Sequence, residues 1–449
     1  MTRSLTASRK APRSKNLYTH LKENYPLQGT PLDVPLPTVL ALSPQERTRY
    51  IRALLTALGR EITNDRMTLK RRVPFKKEMR DLRKLLHAPA DQYLYTDDTT
   101  FKRNVLGKGA PGSTHTYWSR TQMWKMKTKG GDLAEDIINK SPRLIRLLER
   151  LLDQANRSKE SFRNYGKTTI QNVLTLLQTD KGVGTAFPPH HAKFFADKFL
   201  PKEGEGIVFD PCAGWGGRLL GSLCVNRTGH VHYHGVDPER RNKDAYDGLT
   251  RRINVWLKRE LTGKRFATLY YRPFEVFIKT QAAQKLFGRC DLVMTSPPYF
   301  DAEIYNTRNA KQSSNKYATY EQWRTQFYRP LMKGAFDLLK AGGVFVLNIA
   351  NVPSAQSLEK DARILAREVG FENEAFFKMA LSISPGTRKS ARKPRHSVVV
   401  NGKLFKMEPV FCFRKPKTTH SRHSLPKAVS PSTIPSSRRS SKSMAKRGR

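Results

Sequence analysis

Three short segments carry residue types that could hold a ligand and act on it. Asp210–Arg218 follows an apolar run with an acid and then a turn that contains three glycines. Asp237 ends a second apolar run, and Ser296-Pro297-Pro298-Tyr299 follows a third. A serine hydroxyl and a carbonyl held by prolines are hydrogen-bond acceptors of fixed direction, because proline locks φ and carries no N–H. These residue types predict a site that combines fixed acceptors with an aromatic surface.

The turn after Asp210 has the composition of a ligand-binding loop. Its glycines let the backbone pass close to a ligand at a helix N-terminus, and Asp237 could accept hydrogen bonds from a ribose diol. The spacing is not G-x-G-x-x-G, and no G-K-[S/T] follows in this turn, so a dinucleotide fingerprint and a P-loop both fit poorly. Tight packing of a helix on the sheet is the alternative explanation for Gly216 and Gly217.

Strands that end at one edge of a sheet would bring these segments together. Apolar runs typical of buried strands are Ile207–Asp210, His234–Asp237, Asp291–Thr295, Val344–Leu347 and Pro409–Phe413. Helical patterns lie between them, as in Trp323–Leu339 and Leu358–Val369. This alternation predicts an α/β fold with a Rossmann-like, doubly wound and mostly parallel sheet. Ligands of such folds bind at the carboxyl ends of the strands, which is where all three segments are expected to lie.

The rest of the chain divides by composition. Residues 1–16 predict a disordered basic arm, and residues 17–165 predict a mainly helical region that could bind nucleic acid or select a target. Its helical patterns begin after Ser43, a plausible cap, and continue at Leu144–Leu152. Residues 166–415 contain the strands described above. Residues 416–449 contain no acid and predict a disordered basic tail.

The charge balance indicates a polyanionic partner. The 82 Lys and Arg residues exceed the 38 Asp and Glu residues, for a net charge of +44. Self-repulsion on this scale opposes folding, so we expect a nucleic acid rather than a membrane or an acidic protein. One dense basic segment between two candidate strands is predicted to contact phosphates, with a solvated loop as the alternative. Its residues are Arg388, Lys389, Arg392, Lys393 and Arg395.

The four cysteines favour a reduced compartment. Cys212, Cys224, Cys290 and Cys412 form no C-x-x-C pair, and their spacing fits neither a zinc site nor a disulfide framework. No segment resembles a signal peptide or reaches transmembrane length. We therefore expect an intracellular protein, in the cytoplasm or nucleoid of a prokaryote or phage, or in the nucleus of a eukaryote. The oligomeric state stays open.

Taken together, D-P-C-A-G-W-G-G-R, G-V-D-P and S-P-P-Y resemble segments of the amino-methyltransferases that modify adenine N6 or cytosine N4 in DNA. The resemblance covers roughly residues 185–415 and implies a class I methyltransferase fold with S-adenosylmethionine as cofactor. It assigns Asp210, Gly214 and Gly216 to the methionine end of the cofactor and Asp237 to its ribose. Cys212, inside the same turn, is placed in the cofactor site as well.

Two further segments are assigned by the same resemblance. Phe187 and Pro188 belong to a stretch similar to the one that closes over the methionine moiety in the family. Glu275 is the counterpart of an acid that contacts the cofactor's adenine, although the family more often has Asp there. Asp301–Asn306 corresponds to the loop beside the target base, and Asn348 could contact base or cofactor.

The tetrapeptide suits the activation of an exocyclic amine, a poor nucleophile because its lone pair is delocalised into the ring. Acceptors facing the amine hydrogens concentrate charge on nitrogen. We assign this role to the Ser296 side chain and the Pro297 carbonyl, with Pro298 fixing the direction of that carbonyl. Tyr299 would stack on the flipped base, and Phe300 is expected to add a second aromatic wall. A rigid turn without catalysis is the alternative for the tetrapeptide alone.

The first residue of the tetrapeptide bears on the target base. In the family, Ser there is associated with cytosine N4, whereas Asp or Asn is associated with adenine N6. Ser296 therefore favours site-specific methylation of cytosine N4 in DNA over adenine N6. An RNA base amino-methyltransferase of the same fold is the alternative, and a catalytically inactive nucleic-acid-binding protein is a further one.

Two other patterns suggest chemistry that the context disfavours. Pro211-Cys212 resembles the nucleophile of cytosine-C5 methyltransferases, but it lies inside the cofactor turn, which argues against a covalent thiolate. His190-His191 could suggest a metal. Side chains of adjacent residues are expected to diverge, and no further ligands cluster nearby, so no metal is predicted.

Overall fold

The computed structural model describes residues 38–39, 41–63, 75–107, 111–112, 127–128, 186–305, 309–381 and 396–417 of the chain. The chain divides into two compact units, Met1–Pro416 and Lys417–Arg449, and all described helices and strands lie in the first. The predicted arm at 1–16, the helical pattern at 144–152 and residues 418–449 of the predicted tail lie outside the described residues.

The described strands and helices alternate along most of the chain. The strands are β1 (Leu94–Thr96), β2 (Arg103–Leu106), β3 (Lys127–Thr128), β4 (Gly206–Asp210), β5 (Val231–Val236), β6 (Arg265–Tyr270), β7 (Cys290–Thr295), β8 (Glu303–Ile304), β9 (Leu339–Asn348), β10 (Glu372–Leu381), β11 (Ser397–Val400) and β12 (Lys403–Arg414). The helices are α1 (Pro44–Thr63), α2 (Phe75–His87), α3 (Pro189–Phe199), α4 (Gly217–Leu223), α5 (Lys243–Trp256), α6 (Phe274–Phe277), α7 (Gln281–Gln284), α8 (Ser313–Lys316), α9 (Tyr320–Trp323), α10 (Arg329–Leu338) and α11 (Leu358–Val369). A 3-10 turn, Arg240–Asn242, precedes α5, and a π-helical turn, Arg324–Tyr328, joins α9 to α10.

One large sheet organises these elements. Its order is β1-β2-β10-β12-β9-β7-β4-β5-β6, with β11 paired to β12, and β3 and β8 form a separate pair. The strands from β6 to β9 in this order run parallel, and β12 lies antiparallel between β9 and β10. The predicted Rossmann-like class I methyltransferase fold is thereby confirmed.

All five predicted strands are present, but β6, at one edge of the sheet, and β10, beside β12, were not predicted. β6 lies between Asp237 and the Asp291–Thr295 run, so that run is the fourth parallel strand along the chain and not the third. β6 contains a single buried residue, Arg265, and β10 begins with three exposed polar residues, so neither strand is a continuous buried apolar run. A half-buried strand of this kind gives a weaker signal than one buried on both faces.

The sheet is covered on both faces, as a parallel sheet requires. Successive residues of β4 point to opposite faces: Val208 joins a core with helices α2 to α5, and Phe209 joins a second core with α6, α10 and α11. Both cores are built from fully buried aliphatic and aromatic side chains. The carboxyl ends of the parallel strands are held in fixed relation by this double layer.

The region before residue 166 contributes to this sheet. Ser43, the predicted cap of α1, forms a capping box with Glu46, in which the Glu46 N–H donates to Ser43 Oγ at 3.3 Å and the Ser43 N–H donates to Glu46 at 3.1 Å. The short strand β2 pairs with β10, and buried Asp97 forms an ion pair with Lys378 of β10. Three described strands therefore occur in the region predicted to be mainly helical, and two of them, β1 and β2, extend the large sheet.

Candidate active site

The turn after β4 is organised by the Asp210 carboxylate. Arg218 Nε and the Tyr233 hydroxyl each donate to Oδ2 at 2.7 Å, while Thr295 Oγ1 and the Cys212 N–H donate to Oδ1 at 3.0 and 3.1 Å. These four hydrogen bonds fill the roughly four acceptor positions of a carboxylate. Asp210 therefore holds the turn in shape, and a direct contact with the methionine end of a cofactor would have to replace one of these bonds.

Asp237, by contrast, keeps room for a ligand. It follows β5, and it accepts hydrogen bonds from the Gly214 N–H and the Glu239 N–H, each at 2.8 Å. These two bonds leave about half of its acceptor positions open, which suits a ribose diol. Burial raises the pKa of Asp237 to about 7, against the two backbone hydrogen bonds, which lower it. The carboxyl thus changes charge near neutral pH when the site is empty.

The segment containing Phe187 and Pro188 packs directly on the cofactor turn. Pro188 caps α3, and the Phe187 ring lies 5.5 Å from the Arg218 guanidinium carbon. A Cβ on Gly217 would stand 2.0 Å from the Phe187 carbonyl oxygen, so the two backbones touch at this point. Gly216, at φ +81°, occupies the left-handed region that favours glycine. The structure thus brings the two predicted cofactor segments together.

This contact predicts that Gly217→Ala destabilises the protein by about 1–3 kcal/mol, the usual cost of overpacking. The free energy of unfolding in urea would measure it. Gly248→Ala is the matched control, because a Cβ at this position in α5 meets only Arg252, at 3.8 Å. This control should keep or raise stability, since Ala is a better helix former than Gly. Equal unfolding midpoints for the two variants would contradict the close contact.

The tetrapeptide lies beside the cofactor turn. Ser296 follows the last residue of β7, and β7 pairs with β4 in parallel register. Thr295, directly before Ser296, donates its hydroxyl to the Asp210 carboxylate. One buried hydrogen bond therefore ties the first residue of the cofactor turn to the residue that precedes the tetrapeptide.

The Tyr299 hydroxyl is the centre of a small polar cluster. It lies 3.5 Å from Ser296 Oγ, and it donates to the Asn348 carbonyl at 3.4 Å and to Glu408 Oε2 at 3.3 Å. Glu303 acts electrostatically on Tyr299, and the charge of Glu408 acts on Glu303. Burial, followed by the charge of Glu408, raises the pKa of Tyr299 well above its usual value, so the phenol stays protonated.

The loop after the tetrapeptide adds further aromatic surface. Tyr305 donates a hydrogen bond to Glu303, and its ring centroid lies 6.1 Å from that of Trp215 in the cofactor turn. Burial and the nearby Asp210 raise the pKa of the Cys212 thiol well above its usual value. A thiol held neutral in this way is a poor nucleophile, in agreement with the argument against a covalent thiolate.

Phe300 and Asn348, near the tetrapeptide, make contacts that the sequence did not predict. Phe300 is only 6% exposed and packs edge-on against Tyr320 and Trp323, so the prediction of a second aromatic wall was wrong. Its φ of 55° turns the side chain into the core directly after Tyr299. Asn348 is buried at the end of β9 and donates its amide to the Pro409 carbonyl at 3.1 Å, which ties β9 to β12.

Glu275, the predicted adenine contact, lies at the start of α6 and is buried. Its Oε1 accepts hydrogen bonds from Lys316 Nζ at 2.7 Å and from the Tyr317 hydroxyl at 2.9 Å. The carboxylate therefore anchors α8 beside the sheet. Its contact with a cofactor stays a prediction.

The prediction that the His190 and His191 side chains diverge was wrong. Their ring centroids lie 4.1 Å apart, and both Nε2 atoms face the Gly107 carbonyl, at 3.4 and 2.9 Å, so the side chains do not diverge. Burial lowers the pKa of His190 to about 4 and that of His191 well below its usual value, so both rings are neutral. They pack α3 against the segment after β2. Among the described residues, no group of three His, Cys, Asp or Glu side chains could hold a metal ion.

The residues predicted to contact phosphates lie outside the described part of the chain: Arg388, Lys389, Arg392, Lys393 and Arg395. The strands on either side of them are described. Leu381 of β10 and Ser397 of β11 both pair with Lys406 of β12, which precedes the last β9–β12 pair at Asn348. The described residues Leu381 and Ser397 therefore lie beyond the carboxyl end of β9, the end at which β7 leads into the tetrapeptide. No described helix is long and apolar enough to cross a membrane.

No protein-family model and no curated protein sequence matches the chain. Similar solved structures include a SAM-dependent methyltransferase from Methanosarcina mazei, with 13% identity over 49% of this chain and 97% of that one, at a TM-score of 0.29. TrmN from Thermus thermophilus has 17% identity over 51% of this chain and 48% of that one, at a TM-score of 0.26. Precorrin-6y C5,15-methyltransferase from Geobacter metallireducens has 14% identity over 50% and 87%, at a TM-score of 0.28. The assignment of the fold rests on the strand order of the sheet.

Proposed function

We propose that this chain transfers a methyl group from S-adenosylmethionine to the exocyclic amine of a flipped base in DNA, with cytosine N4 favoured over adenine N6. The observation that carries the proposal is the hydrogen bond between Thr295 and Asp210, which locks the tetrapeptide beside the cofactor turn. A methyl donor held by that turn and an amine held by the tetrapeptide would meet at one edge of the sheet.

The residues of the turn suit such a cofactor. Asp237 has acceptor positions left for a ribose diol, and the left-handed Gly214 and Gly216 expose the backbone of the turn. Trp215 and Tyr305 offer aromatic faces, which favour a sulfonium cation. When bound, S-adenosylmethionine would supply a methyl group on a positively charged sulfur.

The role of the tetrapeptide is to present acceptors to the amine. Ser296 is half-buried and its hydroxyl makes only the 3.5 Å contact with Tyr299 among the described residues, so it has capacity for a substrate hydrogen. The net charge of +44 supports a nucleic acid as the molecule that carries the amine. The serine at this position supports cytosine N4 ahead of adenine N6.

Nucleoside mass spectrometry tests the proposal. Purified protein would be incubated with isotopically methyl-labelled S-adenosylmethionine and with either unmethylated DNA or RNA, followed by digestion to nucleosides. We expect label in N4-methylcytosine from DNA. Label in N6-methyladenine would overturn the choice of base, and label in RNA alone would overturn the choice of DNA. Failure to bind S-adenosylmethionine in calorimetry would refute enzymatic function and favour an inactive nucleic-acid-binding protein.

A further inference from the structure

Glu408 reaches the candidate active site from a strand far away in sequence. It belongs to β12 and lies just before Pro409 and Val410, where the pairing of β12 with β9 ends. Its Oε2 is 3.3 Å from the Tyr299 hydroxyl, which in turn lies 3.5 Å from Ser296 Oγ. A single phenol therefore connects this carboxyl group to the tetrapeptide.

Methylation of an amine requires a place for a proton. When the N–C bond forms, the S–C bond breaks and its electron pair stays on sulfur, so the nitrogen is left with one proton too many. Serine and proline oxygens accept hydrogen bonds from the amine but cannot keep a proton at neutral pH. A carboxylate can do so, and it also stabilises the positive charge that develops on the nitrogen.

We propose that Glu408 accepts the proton that the target amine loses, and that the Tyr299 hydroxyl holds the carboxylate in position for this step. The assignment rests on the proposed function. In the step, one N–H bond of the methylated amine breaks, and its proton bonds to a carboxylate oxygen of Glu408. The neutral methylated base and the protonated acid result, and the acid then releases the proton to water.

The surroundings of Glu408 make it a stronger base than an exposed glutamate. Burial is the main cause that raises its pKa, while Lys406 on the same strand and hydrogen bonds from Asn348 and Tyr299 lower it. Glu303 faces it from the loop after the tetrapeptide, and burial together with the charge of Glu408 raises the pKa of Glu303 despite its bond to Tyr305. A raised pKa strengthens a carboxylate as a base.

Among the described residues, Lys406 is the cation that acts electrostatically on Glu408, and the charge that acts on Glu303 is the carboxylate of Glu408. This is notable in a protein with a net charge of +44, where cations outnumber acids by about two to one. Two carboxylates close together would favour the positive charge that develops on the amine during methyl transfer.

The test compares Glu408→Gln with wild type and with Glu372→Gln, a control at an exposed glutamate at the start of β10. The single-turnover rate of methyl transfer to DNA would be measured from pH 5 to 9 with saturating S-adenosylmethionine, and cofactor affinity by calorimetry. We expect the wild-type and Glu372→Gln rates to rise with pH as a single group, Glu408, loses its proton. This rising part of the pH–rate profile is called the limb below. Glu408→Gln should lack the limb and be about ten-fold slower at pH 8, with unchanged cofactor affinity.

A second variant tests the positioning role of the phenol. Tyr299→Phe keeps the ring but removes a hydrogen bond that lowers the pKa of Glu408, so the limb should move to higher pH. A Glu408→Gln enzyme with the wild-type pH dependence and rate would overturn the role of Glu408 as proton acceptor but leave the proposed function standing. Wild-type protein that binds S-adenosylmethionine but methylates no DNA at any pH would overturn the proposed function and, with it, this assignment.

A direct readout does not depend on activity. With the glutamate carboxyl carbons labelled by carbon-13, the NMR signal that disappears in Glu408→Gln reports the titration of this group. We expect it to titrate above the usual glutamate value of about 4.3. Titration at or below that value would contradict the assignment.

Discussion

Ser296→Ala should slow methyl transfer by about 10²- to 10³-fold, the usual cost of removing one preorganised hydrogen-bonding group from an active site. The hydroxyl is half-buried and makes only a long contact with Tyr299 among the described residues, so its loss should leave the fold and the cofactor turn intact. The effect is expected in kcat, because the acceptor acts on the amine as its nitrogen becomes nucleophilic.

Single-turnover rates with labelled S-adenosylmethionine would measure this change, and calorimetry would verify that cofactor affinity is preserved. Ser296→Asn is the matched variant, because its amide oxygen restores an acceptor near the same place. It should lose less activity than Ser296→Ala, and a shift of its product from N4-methylcytosine towards N6-methyladenine would support the association of this position with the base. Wild-type rates in Ser296→Ala would refute its role as an acceptor.

The sequence was most informative where a segment follows a fully buried strand. β4, β7 and β9 are buried on both faces over most of their length, so each gives a continuous apolar run, and the residue that ends the run is easily recognised as an edge residue. This is why Asp210 and Ser296 could be placed at one edge before the fold was known. Asp237 was found in the same way, from the apolar end of β5.

Residues whose role depends on contacts distant in sequence were not predictable. Glu408 stands 109 residues after Tyr299, and only the antiparallel insertion of β12 beside β9 brings the two together. Its neighbours in sequence, Lys406 and Met407, give no sign of an active-site strand. The prediction for Phe300 was wrong for the opposite reason. Phe300 is adjacent to Tyr299 in sequence, which suggested a place in the site, but its positive φ accompanies a side chain that is buried in the core.

The structure also distinguishes Asp210 from Asp237, to which the sequence analysis gave the same role. Both Asp210 and Asp237 end an apolar strand beside the Gly-rich turn, and both were assigned to the cofactor. Asp210 is saturated by four hydrogen bonds from the protein, whereas Asp237 accepts only two, both from backbone N–H groups. Counting acceptor positions separates an acid that maintains the turn from an acid that can bind, and a sequence does not supply that count.

Asp237 should make cofactor affinity depend on pH. In the empty site the pKa of Asp237 is raised to about 7, mainly by burial, so the carboxyl is largely protonated at pH 6 and largely ionised at pH 8. Ribose hydroxyls donate to the ionised form, so binding favours loss of the proton. We expect affinity for S-adenosylmethionine to be highest above pH 7 and to fall up to about ten-fold for each unit below it, as linkage of one proton requires.

Calorimetry at pH 6, 7 and 8, in buffers of different ionisation enthalpy, would measure both the affinity and the number of protons released. The number of protons released per cofactor bound should approach one at pH 6 and vanish at pH 8. Asp237→Asn should bind weakly and without this dependence, whereas Glu408→Gln should retain it, because Glu408 lies at the tetrapeptide and not at the ribose position. Equal wild-type affinity at pH 6 and pH 8 would show that Asp237 does not hold the ribose.

The raised pKa of Asp237 also affects the stability of the cofactor-free protein, because it means that folding favours the protonated acid. This group therefore lowers the free energy of unfolding as pH rises from about 4 towards 7. Binding of the ribose at higher pH restores that stability.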